Sequence, residues 1–94
     1  MLIQLEGRVL PGKMDSFAAL VAKYFPGTRA FDGCNGITAH VAEDGASFVF
    51  VEDWDSKPQY EAYLAWREET GVLAELAAVM EGPPLIRFFT ALDA

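Results

Sequence analysis

The chain has little with which to staple or anchor itself. Its 94 residues include a single cysteine, Cys34, so no disulfide can close within it, and a reducing, cytoplasmic setting is expected. It has a single histidine, His40, too few for a multi-histidine metal site. Basic side chains number 7 against 14 acidic ones, giving a formal net charge of −7, and no two basic residues are adjacent. That excludes the basic patches that nucleic acids and anionic membrane surfaces require. No apolar run approaches the roughly 20 residues that span a bilayer. The opening MLIQLEGRVL has no basic lead and no small-residue cleavage site, so no signal peptide is expected. There is no nucleophile triad, metal cluster, phosphate loop, repeat or linker, and neither a metal nor a cofactor is expected.

What is abundant is apolar surface. Hydrophobic residues make up 52% and aromatics 13%, ample for a core in one domain spanning residues 1–94. This is slightly rich for a small monomer and points to a further apolar face used in self-association. Leu2 to Leu10 alternates Ile3, Leu5, Gly7 and Val9 against Leu2, Gln4, Glu6 and Arg8, a strand with one apolar face. Met14, Phe17, Leu20, Val21 and Phe25 recur at helical spacing, and Pro26-Gly27 is expected to end that helix, leaving Thr28 to Asp32 as a connector. Gly33 to Ser56 reads as a hairpin turning at Glu43-Asp44-Gly45-Ala46. Ile37, Ala39 and Val41 oppose Thr38 and His40 on its first strand. On its second, Phe48, Phe50, Glu52 and Trp54 oppose Val49, Val51 and Asp53. Both faces carry large apolar groups, so something is expected to pack on each side.

Ser56 and Gln59 have capping-box spacing, with Pro58 in the first turn of the helix they open. Thr70-Gly71 interrupts it. Val72, Leu73, Leu76, Val79 and Met80 resume the stripe to a Gly82 cap and Pro83-Pro84, and Leu85 to Leu92 forms a last strand. The order β-α-β-β-α-α-β is the split β-α-β arrangement of an α+β, ferredoxin-like fold, a four-stranded antiparallel sheet with helices on one face. The other face would stay exposed unless a second copy covered it, so a two-fold homodimer through the sheets is expected.

Four segments in order resemble the antibiotic biosynthesis monooxygenase family of dimeric α+β barrels. They are Pro11-Gly12-Lys13, the stretch from Pro26-Gly27-Thr28-Arg29 to Gly33-Cys34, Phe48 to Trp54, and Tyr60-Glu61-Ala62-Tyr63-Leu64. The resemblance implies two sheets packed face to face, and oxidation of quinol-like or polyketide aromatics by O2 without metal or flavin. The substrate anion would supply the electrons. The protein would supply a dry pocket, orientation and proton transfer. Heme-degrading members of the family carry an Asn on the first strand and a His on the later helix. Here Gly7 stands at the first position and the helix from Val72 to Met80 has no His, although Trp66 or Tyr63 could match those members' Trp.

The expected catalytic residues are His40, Tyr63 and Trp66, with Trp54, Tyr60 and Arg67 binding a small aromatic substrate. His40 could move a proton. If Ile37, Ala39 and Val41 meet the helices, however, it points into the dimer instead. The aromatics could stack on a planar ligand or simply form core. Arg67 and Arg87 could hold an anion, but surface ion pairs are the simpler expectation. Of Glu52 and Asp53 one must face inward, as a base or as a partner for an arginine across the dimer. Cys34 reads as an inert buried thiol. The leading function is a cofactor-independent monooxygenase acting on a small aromatic or quinol. The alternatives are a non-catalytic dimeric small-molecule-binding module and a barrel-type isomerase or lyase.

Overall fold

In the computed structural model, which describes all residues from Met1 to Ala94, the alternating segments become four strands: β1 (Leu2–Arg8), β2 (Cys34–Val41), β3 (Ser47–Trp54) and β4 (Leu85–Phe89). They form one antiparallel sheet in the order β2-β3-β1-β4. The helices are α1 (Met14–Ala30), α2 (Lys57–Glu69) and α3 (Val72–Ala77). This is the expected ferredoxin-like α+β architecture.

Register decides which side chains share a face. Leu5 stands between Phe50 on β3 and Ile86 on β4; Ile3 stands between Glu52 and Phe88. These residues face the helices. The larger cluster of the core joins Val9, Phe17, Phe25, Ile37, Phe48, Phe50, Val79 and Met80. Its rings meet obliquely, Phe17 on Phe48 at 4.6 Å and Phe25 edge-on to Phe50 at 5.0 Å, arrangements that suit the ring quadrupole. A smaller cluster of Ile3, Trp54 and Tyr60 packs at the other end of the sheet. The open face is mixed: Leu2, Leu85 and Phe89 are exposed beside the ion pair of Arg87 with Glu6 at 2.6 Å.

Two local signals act as the sequence implies. Asp44 accepts the Ser47 hydroxyl at 2.6 Å and the backbone N–H groups of Ser47 and Ala46, each at 2.8 Å, which closes the hairpin and holds its carboxyl down to about 2. Ser56 caps α2 by accepting from the Gln59 N–H.

Three boundaries differ from expectation. Helix α1 does not stop at Pro26 but runs through it to Ala30. An internal proline removes a backbone bond at a cost of about 3 kcal/mol. Here Phe25 and Thr28 are both buried, and Arg67 reaches in to the Tyr24 carbonyl, so tertiary contacts outweigh the break. Helix α3 ends at Ala77 rather than Met80 because Val79 and Met80 turn aside to bridge the end of β1. There Leu10 N–H donates to the Val79 carbonyl at 2.9 Å and Glu81 N–H to the Arg8 carbonyl at 2.8 Å. Strand β4 ends at Phe89, and Leu92 beyond it is exposed.

Candidate functional site

Between the sheet and the second half of the helical layer lies a cavity of about 460 Å³. Leu5 and Ile86, neighbours across β1 and β4, form its floor. Leu64 of α2 and Leu73, Leu76 and Ala77 of α3 line its helical side, Met80 and Gly82-Pro83-Pro84 line its end, and it opens to solvent. All ten lining residues are Leu, Ile, Met, Ala, Gly or Pro. Such a wall favours an uncharged apolar body and penalises a buried charge.

One row of side chains further along the sheet, polar groups are buried with incomplete partners. Glu52 is 2% exposed, and its Oε1 accepts from the Trp54 indole N–H at 3.1 Å, its sole hydrogen bond. Burial raises the Glu52 carboxyl to about 7, against the smaller pull of that indole. Tyr60 is fully buried, and its hydroxyl has no hydrogen-bond partner. Burial lifts its phenol above the ordinary value, and the charge of Glu52 and then Tyr63 adds to this. The Tyr60 ring sits edge-on to Trp54 at 5.5 Å and to Phe88 at 5.8 Å. Leu64 and Ile86 pack on this cluster and also line the cavity, so the two share a wall. Cys34 packs on the same cluster but is half-buried rather than buried as expected, and burial raises its thiol above the ordinary value.

Tyr63 and Trp66 occupy a different setting, built around Arg67. That guanidinium is 4% exposed and has no carboxylate partner, so the expected surface ion pair is not formed; Arg87 forms one instead. Arg67 Nε donates to the Tyr63 hydroxyl at 3.1 Å. Its Nη2 donates to the Tyr24 carbonyl at 2.6 Å and to Thr28 Oγ1 at 3.3 Å. Thr28 Oγ1 and the Tyr63 hydroxyl lie 2.6 Å apart, and the guanidinium rests 4.2 Å from the Trp66 ring centre. Gly27 makes room for it, since a Cβ there would come within 3.0 Å of Nη2. The Tyr63 hydroxyl is fully engaged by Arg67 and Thr28.

Phe31 joins the two settings. Its ring lies 6.1 Å from Trp54, 5.4 Å from Tyr63 and 5.5 Å from Trp66. The structure thus brings Trp54, Tyr60, Tyr63, Trp66 and Arg67 into one aromatic body. Sequence reasoning passed over Phe31, which lay in the stretch read as connector. The signal available was an isolated aromatic between a helix end and a strand start.

His40 is not part of that body. Ile37 is buried against the helices, and Ala39 and Val41 line a groove against α1, so alternation turns His40 to the open face. There it stands opposite Val49, with its Nε2 2.9 Å from Thr38 Oγ1. Glu52, by contrast, faces the helices and is not available to an arginine across the sheets. Asp53 is the exposed carboxylate of the pair, 3.5 Å from the amino terminus. No three His, Cys, Asp or Glu side chains gather to hold a metal ion, and no helix is long and apolar enough to cross a membrane.

Comparison with solved structures gives the same fold across the chain. An antibiotic biosynthesis monooxygenase is similar with a TM-score of 0.87 at 19% identity, covering 99% of this chain and 100% of that one. Rv0793 from Mycobacterium tuberculosis is similar with a TM-score of 0.84 at 19% identity, covering 99% and 95%. NE2512 from Nitrosomonas europaea, described as of unknown function, is similar with a TM-score of 0.77 at 18% identity, covering 99% and 93%. At these identities the likeness concerns the fold alone. No curated protein sequence matches the chain. The model of one family, antibiotic biosynthesis monooxygenase, matches residues 1–75, and the chain belongs to that family.

Proposed function

We propose that the protein is a monooxygenase that oxidises a small, electron-rich aromatic or quinol with O2, using no cofactor. The observation that carries this reading is the apolar cavity sharing Leu64 and Ile86 with the cluster of Trp54 and Tyr60, in which the Tyr60 hydroxyl has no partner and the Trp54 indole donates to the buried Glu52. An electron-rich phenol or quinol can itself supply all four electrons that O2 accepts. Two are lost where a C–O bond replaces a C–H bond, and two more reduce the other oxygen atom, which leaves as water with the substrate's two hydrogens. The protein's part is to hold the aromatic body dry and to manage a proton beside it. A carboxyl near 7 can be base or acid at neutral pH, and an unengaged phenol hydroxyl can donate to a developing oxyanion. His40, across the sheet from the cavity, takes no part in this reading.

The test is O2 uptake by purified protein with a panel of reduced quinols and hydroxyaromatics, with Tyr60→Phe, Glu52→Gln and Leu76→Trp alongside. Uptake lost in Leu76→Trp, which fills the cavity, and slowed at least tenfold in Tyr60→Phe and Glu52→Gln supports the reading. Uptake no faster than in buffer across the panel overturns it.

One observation favours a second reading. None of the cavity's ten lining residues carries a titratable side chain, as suits a non-catalytic binding module for a neutral apolar ligand. Saturable binding of such ligands without O2 uptake would select it. In either reading we place a second copy against the open face, over Leu2, Leu85 and Phe89. Phe89→Glu should then lower the mass measured by light scattering from dimer to monomer; a wild-type monomer at all concentrations would remove this part.

A further inference from the structure

The cavity is lined by one kind of chemistry. Its ten lining residues include no aromatic ring and no side chain that can donate a hydrogen bond. The Met80 thioether, a weak acceptor, is the one heteroatom among those side chains. Pro83 and Pro84 at its end lack even a backbone N–H. A hydroxyl buried here would leave water and meet no side-chain partner, which lowers affinity by about fivefold or more. Aliphatic carbon meets no such penalty, and each buried methylene strengthens binding about fourfold. Met80 is unbranched and can follow a flexible chain. The cavity also opens to solvent, so the polar end of a ligand can stay hydrated while the rest is buried. No basic side chain lines it, and the protein carries 14 acidic side chains against 7 basic ones, so nothing there favours an anionic head. Its volume of about 460 Å³ lies within the range of pockets that hold small ligands.

We propose that the cavity takes the aliphatic chain of an uncharged amphiphile, with the tail inside and the polar head at the open side. The inference rests on the cavity being the ligand site, but not on the reaction carried out there. In the monooxygenase reading it names the substrate class more closely, as a quinol or phenol bearing an alkyl side chain.

Two measurements test it on the full chain. The first is methyl NMR titration with hexanol, octanol and decanol. The methyl signals of Leu73, Leu76 and Ile86 should shift, and the Kd should fall about fourfold for each added methylene. In Leu76→Trp, and in the milder Ala77→Leu, that gain should stop at a shorter chain than in wild type. Decanoate should bind at least about fivefold more weakly than decanol. Shifts confined to other methyls, the same gain per methylene in both variants as in wild type, or decanoate binding as tightly as decanol overturns the proposal. The second is O2 uptake with hydroquinone and decylhydroquinone. The alkylated quinol should show a kcat/KM at least about a hundredfold higher, since several methylenes contribute. Equal turnover of the two would overturn the tail and keep the monooxygenase. Tight, chain-dependent binding of the alcohols with no O2 uptake from either quinol would keep the tail and lose the monooxygenase reading.

Discussion

Two charged side chains are buried in this small domain, and they are treated in opposite ways. Arg67 is surrounded by acceptors: a phenol oxygen, a carbonyl and a threonine hydroxyl, with an indole beneath its plane. Glu52 receives one indole N–H, and near it a tyrosine hydroxyl has no partner. A buried polar group that is fully bonded contributes rigidity, whereas one left short retains a cost of about 1–3 kcal/mol. The first setting joins α1 to α2 across Pro26. The second lies against the cavity wall. The contrast separates the side chains that hold the fold from those the proposed reaction would use.

The largest effect should come from the satisfied side. Arg67→Ala removes a buried donor from the Tyr24 carbonyl, Thr28 and Tyr63, whose remaining side-chain bonds run only through the Thr28 hydroxyl, and opens a void over Trp66. Urea unfolding should report a loss of about 3 kcal/mol. Arg67→Lys should recover little, because an ammonium cannot make these bonds and stack on the indole at once. A loss below about 1 kcal/mol in Arg67→Ala would break the comparison.

Glu52 should behave in the reverse sense. Its folded carboxyl sits near 7 against an ordinary value of 4.5, so the folded state favours the proton. The stability this gives is fully present below the ordinary value and is lost as pH rises through about 7. Wild-type melting temperature should therefore fall between about pH 5 and pH 8. Glu52→Gln should flatten that fall, being more stable than wild type at pH 8 by roughly 2 kcal/mol and near it at pH 5. A wild-type profile that rises across this window would show that Glu52 has a partner.

A paired substitution sharpens the contrast at a smaller scale. Tyr63→Phe removes a hydroxyl engaged with Arg67 and Thr28, and should lower stability by about 1–2 kcal/mol. Tyr60→Phe removes a hydroxyl with nothing to lose, and should leave stability unchanged or raise it slightly, while slowing O2 uptake. Equal destabilisation by the two, in thermal melts at one pH, would erase the distinction.

Strand alternation carried most of the architecture in the sequence. It separated Phe48, Phe50, Glu52 and Trp54 from Val49, Val51 and Asp53, which is the division the sheet makes. Pro26 misled because a local rule about helix interiors meets a tertiary compensation, the Arg67 bond to Tyr24, supplied from 43 residues away. The site was legible in kind but not in assignment. The aromatic residues do converge, yet spacing alone cannot tell the engaged hydroxyl of Tyr63 from the free one of Tyr60. That difference lies in Thr28 and Arg67, which approach Tyr63 from elsewhere in the fold. Nor does composition mark the cavity, since its lining residues have the same chemistry as the core.

The smallest effect concerns His40. As the only imidazole in the chain it is the obvious proton carrier by residue type, and its position argues against that part. A proton carrier must come within hydrogen-bond reach of the reacting group, directly or through one water. Between His40 and the cavity stands the sheet itself, with Ile37 and Phe50 packed on the helix side. His40→Ala should therefore change stability by no more than about 0.5 kcal/mol, as exposed substitutions do, and leave the rate of O2 uptake unchanged. A tenfold loss of rate at unaltered stability would move the chemistry to the open face, where a second copy would have to complete the site.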